Sequence, residues 1–128
     1  MASIVLVLDV VGASAFDPNE VRACLRDLSG IRDWDENDPD HAFFFEFDSA
    51  GDTTIVHMLN SDSRFISIEG MGVASLQVAL ELQRRYGKEI HAIDDGCSFD
   101  IPLSTVSSLA DFEEKIRCGW GHEHLERK

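Results

Sequence analysis

The segment from Arg64 to Gly87 constrains the fold of this chain more than any other, because strand, glycine turn and amphipathic helix follow one another in it without ambiguity. Arg64 to Glu69 mixes apolar and β-branched residues, Gly70-Met-Gly72 breaks the run, and Val73 to Tyr86 continues with helical spacing. At 100° per residue Leu76, Ala79, Leu80, Leu82 and Tyr86 share one face, and Gln77, Glu81, Arg84, Arg85 and Lys88 share the other. A helix of that pattern lies on a sheet. Gly87 is expected as its left-handed C-cap, and Arg84, Arg85 and Lys88 sit where the helix dipole favours cations.

The turn invites a functional reading. In Gly70-x-Gly72-x-x-Ser75 a glycine turn feeds a helix N-terminus, the arrangement that cradles phosphates. The dinucleotide fingerprint needs Gly or Ala at its third position and the phosphate loop needs Gly-Lys-Ser/Thr, and this chain has neither. With no Lys or Arg between Arg64 and Arg84, a phosphate would meet backbone dipoles alone, and the expectation is a tight strand-to-helix turn.

From the start of the chain, Ile4 to Val11 reads as a central strand, with Asp9 capping or exposed rather than nucleophilic, since position 11 is Val where a dehalogenase-type phosphatase needs a second Asp. Asp17-Pro-Asn-Glu20 predicts a helix over 18–29, with Asp17 as N-cap, Glu20 closing a capping box and Gly30 ending the run. Val21, Cys24, Leu25 and Leu28 form its buried stripe, so Cys24 is a small core hydrophobe. Arg32 to His41 reads as an acidic loop. Its Asp33, Asp35 and Asn37 match the first three ligands of a calcium loop, but Asp38 replaces the required Gly and Phe44 the final Glu. Trp34 has two readings there, an interface anchor or an aromatic folded back onto the core.

Phe43, Phe45 and Phe47 alternate with Phe44 and Glu46, the signature of a half-buried strand. Turns at Asp48 to Asp52 and Asn60 to Ser63 then make an antiparallel meander with the strands on either side. Glu89 to Ile93 and Phe99 to Leu103 bracket a further hairpin at Asp94 to Cys97, with Pro102 marking an edge. Ser108 and Asp111 cap a last helix bearing Leu109, Phe112 and Ile116, and residues 119–128 are expected as a loose tail. His122 and His124 in that tail are too closely spaced and too near the terminus to define a metal site. The sum is a single α+β domain over 1–128, a mainly antiparallel sheet of five to six strands with two to three helices packed on it.

Charge bounds the partners. With 24 acidic and 11 basic residues the formal net charge is −13, which disfavours nucleic acid and anionic membranes and favours a basic protein. Nine acids and no Lys or Arg lie between Asp33 and Ser63, so self-repulsion is concentrated there. Three cysteines without Cys-x-x-Cys spacing, and no signal-like or membrane-spanning run, point to a reducing cytoplasm. For catalysis nothing converges: His41, His57, His91, His122 and His124 are scattered, with His57 and His91 expected as satisfied structural imidazoles, and no serine motif is present. No enzyme activity, cofactor or metal is therefore expected.

The acidic meander Glu46-Phe-Asp-Ser-Ala-Gly-Asp-Thr-Thr54, the segment from Ile66 to Arg85 and Asp94-Asp-Gly-Cys-Ser-Phe-Asp100 together make the chain resemble the small acidic immunity proteins that bacteria encode beside antibacterial toxins. The resemblance covers about half the chain. It implies a cytoplasmic inhibitor that covers the active site of a cognate toxin through an acidic surface. In this sequence that surface comprises Asp33, Trp34, Asp35, Glu36, Asp38, Asp40, Glu46, Asp48 and Asp52. The other reading is a small regulatory or adaptor domain that binds a protein or an anionic ligand.

Overall fold

The aromatic strand sets the architecture. In the computed structural model, which describes residues 3–9, 13–94 and 99–126 with side chains as far as Cys118, Phe43, Phe45 and Phe47 all point into one core. Their strand, β3 (His41–Ser49), joins β4 (Asp52–Leu59) through Ala50 and Gly51. Both of those residues have positive φ, 52° and 79°, the mirror-image turn that matches the twist of a two-residue hairpin. β5 (Asp62–Glu69) completes the expected meander. β1 (Ser3–Val7) pairs antiparallel with β5 on one side and with β6 (His91–Asp94) on the other, which gives it the central place its apolar sequence predicted. Asp9 turns the chain out of it by accepting the Ala13 and Ser14 amides at 3.0 and 2.9 Å.

The sheet has seven strands in the order β2-β3-β4-β5-β1-β6-β7, every neighbour antiparallel. One edge is β7 (Asp100–Pro102), where Pro102 falls as expected; the turn expected at Asp94 to Cys97 lies largely outside the described residues. The other edge, β2 (Ile31–Asp35), corrects the reading of Arg32 to His41 as a loop. Asp33 adopts φ 54° in a bulge between Arg32 and Asp35, and the bulge breaks the alternation by which a strand announces itself. An acidic, bulged strand at an edge resists pairing with another chain.

The helices α1 (Pro18–Leu25), α2 (Val73–Arg85) and α3 (Leu109–Glu126) bury Val21, Cys24, Leu25, Leu76, Leu82, Phe112 and Ile116 against the face that carries Phe43, Phe45, Ile66 and Ile68. α1 is shorter than the sequence predicts. Asp17 caps it through the Asn19 amide at 3.0 Å, but its own amide bonds the Tyr86 hydroxyl at 3.1 Å, where the capping box would have placed Glu20. Gly87 is not the left-handed cap of α2. The chain leaves the helix extended at Tyr86, which lets the ring meet Phe16 edge-on at 5.5 Å, while Gln83 binds both the Lys88 carbonyl and the Ile90 amide. The segment expected as a loose tail from Gly119 continues α3 to Glu126. Among the described residues no helix is long and apolar enough to cross a membrane.

Candidate functional site

The glycine turn before α2 is filled by the protein itself. The Asp52 carboxylate, from the start of β4, accepts the Ala74 amide at 3.0 Å and so supplies the N-terminal carboxylate that α2 lacks in its own sequence. The fit is close: a Cβ on Gly72 would lie 2.3 Å from Asp52 Oδ2. Ser75, the last position of the phosphate-like motif, is buried and donates to the Glu69 carbonyl at 2.8 Å, and Thr54 donates to the same carbonyl at 2.5 Å. The turn thus ties β4, β5 and α2 together, and Asp52 holds the position a ligand anion would take.

The remaining acidic residues fall into two groups that the linear sequence does not separate. Glu36 pairs with Arg22 and Arg26 at 3.3 and 3.0 Å, and Arg32 bridges Glu46 at 3.1 Å and Asp48 at 2.5 Å. The Arg32 guanidinium, and after it the Thr53 hydroxyl, hold the Asp48 carboxyl below its usual range. Asp33 sits in the β2 bulge, Asp35 ends β2, and Asp38 and Asp40 lie in the turn that leads into β3. Among the described residues none of these four is ion-paired with Lys or Arg; Asp38 meets His41 at 3.2 Å, and Asp35 and Asp38 accept the Asn37 and Asp40 amides. The Asp40 amide, then His41, lowers the pKa of Asp38. This corner carries uncompensated charge on a turn fixed by its own carboxylates.

Trp34 takes the second of its two readings. Its ring stacks on Phe45 and Phe43 with centroids 5.1 and 5.9 Å away, and Arg26 lies over it at 5.8 Å. It is half-buried, and its indole N–H is enclosed without a hydrogen-bond partner among the described residues. Trp34→Ala is expected to cost the fold roughly 2 to 3 kcal/mol, somewhat less than a fully buried Trp, which a shift in urea midpoint would register.

All three helices cover one face of the sheet. Phe44, Ile55, His57, Phe65, Ser67 and Val5 share the other, by the registers that pair His57 with Phe44 and Ser67, and Ser67 with Val5. On it His57 stacks on Phe44 at 6.1 Å and meets His41 edge-on at 5.4 Å. The expectation of a satisfied imidazole fails here, since His57 Nδ1 is enclosed without a hydrogen-bond partner among the described residues; His91, by contrast, bonds Asp100 at 2.7 Å. Burial, and then the proximity of His41, push the His57 pKa below the ordinary 6.5. The unfolded chain therefore takes up a proton at His57 before the folded one does, so stability is lost as pH falls below about 6.5. Asp62, held to about 2 chiefly by Arg64, adds a second loss between its ordinary 3.8 and that value. Denaturant midpoints measured from pH 7.5 to 5 are expected to fall, and His57→Phe to remove most of that first fall.

Burial raises the Cys24 pKa, away from reactivity, and among the described residues no group of three or more His, Cys, Asp or Glu is placed to hold a metal ion. Comparison of the chain with family models, curated proteins and solved structures finds no match. The arrangement is an acidic corner next to a sheet face on which, among the described residues, no helix packs.

Proposed function

We propose that this protein is an inhibitor of the immunity type, which binds a cognate antibacterial toxin in the cytoplasm and covers its basic active-site surface. The observation that carries the reading is the acidic corner formed by Asp33 in the β2 bulge, Asp35 at the end of β2, and Asp38 and Asp40 in the turn that follows, none of them ion-paired with Lys or Arg among the described residues. Their mutual repulsion is relieved when a cationic surface docks, and complementary charge of this kind chiefly speeds association. Glu36, Glu46 and Asp48, already paired within the chain, contribute less, and Asp52 serves the fold. The Asp52 carboxylate on the Ala74 amide also weighs against the other reading, in which the glycine turn of a regulatory domain binds an anion.

The test starts from the gene neighbourhood. A neighbouring toxin is produced with and without this protein, and its activity is titrated; the expected result is loss of activity at a one-to-one ratio. The combined Asp33→Asn, Asp35→Asn, Asp38→Asn and Asp40→Asn variant is expected to associate at least tenfold more slowly at low salt with little change in release. Full activity of every neighbouring gene product in the presence of excess protein would sink the proposal.

A further inference from the structure

We infer that the partner is gripped on the uncovered face of the sheet, in a depression that receives an arginine or lysine side chain from a basic protein surface. This rests on the reading of a basic partner and adds where and by what chemistry it is held. The depression, about 400 Å³, has Val5, Phe65 and Ile93 as its apolar lining and Asp62 and Asp94 as its acids. Leu59, 43% exposed, belongs both to it and to a neighbouring hollow shared with Asp40 and His41, so the depression adjoins the acidic corner through Leu59. The Asn60 amide bonded to the Asp40 carbonyl at 3.0 Å, and its side chain to the Pro39 carbonyl at 3.0 Å, lock the two parts together.

An apolar floor with carboxylates around it suits one kind of occupant. A long basic side chain lays its methylene stem on the hydrophobic lining and leaves its cation at the acids. A second copy of this chain fits badly, because two bodies of charge −13 repel. The protein already displays the interaction on itself: the Arg64 guanidinium lies 5.1 Å from the Phe65 ring and bonds Asp62 at 2.8 Å. Arg64 thus already engages two residues of the lining, and an incoming basic side chain competes with it for Asp62.

The experiment follows backbone amide shifts of the full chain by NMR during titration with the blocked peptide Leu-Arg-Leu-Arg-Leu, with Leu-Glu-Leu-Glu-Leu as control. The cationic peptide is expected to move the amides of Val5, Phe65, Ser67 and Ile93, and the acidic one to move none. Leu59→Lys, at an exposed position the fold does not depend on, should weaken binding at least tenfold, and Arg64→Gln should tighten it several-fold. Shifts confined to residues 33–40 would overturn the sheet-face site while leaving a basic partner in place. Equal binding of the acidic peptide would overturn both, and absence of any shift at millimolar cationic peptide, or weaker binding by Arg64→Gln, would overturn the site.

Discussion

Phe45→Ala is expected to lower the stability of the fold by about 3 to 5 kcal/mol, a large part of the roughly 5 to 15 kcal/mol by which a domain is stable. Phe45 is fully buried in the middle of β3 and stacks on Phe43 at 5.9 Å and on Trp34 at 5.1 Å. Its removal costs the transfer of the ring and opens a cavity whose walls, strands held on both sides, cannot close. Phe44→Ala, one residue away on the half-buried face, should cost less than half as much. Paired urea melts of the two variants measure the difference, and equal losses would contradict the assignment of faces.

Gly30→Ala is expected to cost about 3 kcal/mol for a wholly different reason. Gly30 has φ 105°, a conformation L-residues rarely adopt, and a Cβ there would lie 2.4 Å from the Asp48 carbonyl oxygen. Asp48 in turn donates its amide to the Gly30 carbonyl at 2.9 Å, so the strand cannot retreat without losing the bond that begins the β2 edge. Gly51→Ala makes the comparison, because the space around Gly51 is open and only its φ of 79° opposes a side chain. A circular-dichroism melt in which the Gly30 variant is no worse than the Gly51 variant would show that the close approach to Asp48 does not matter.

What the sequence made legible was what short-range periodicity encodes. The alternation at Phe43 to Phe47 and the caps at Asp17 and Ser108 lie within a few residues of the structure they specify and are found in place, as are Leu76, Ala79, Leu82 and Tyr86 of the α2 stripe, whereas Leu80 is only partly buried and Val78 is buried in addition. The face that Phe43, Phe45 and Phe47 present is the core face, as expected. The sheet exceeds the expected five to six strands through β2, which its bulge and its charges concealed.

The long-range contacts could not be read in the same way. By sequence Asp52 belongs with the partner-binding acids, yet it caps a helix that begins 21 positions later, and nothing local to Asp52 indicates that. Glu36 belongs with them likewise, and it is engaged by Arg22 of α1 and by Arg26 at its end. Gly87 followed a sound local rule for helix ends, but the packing of Tyr86 on Phe16 decided the outcome. The second sheet face was legible in part, since Val5, Ile55, His57 and Phe65 alternate with core residues, but only the placement of all three helices on the other side shows that no helix packs on it among the described residues.

The proposed function requires an acidic protein to meet a basic one. Stopped-flow association with the purified cognate toxin, followed from 50 mM to 500 mM salt, addresses that directly. The expected result is an association rate that falls by at least tenfold across the series while the dissociation rate changes by less than threefold. An association rate indifferent to salt, or a partner whose contacting surface proves acidic, would contradict it.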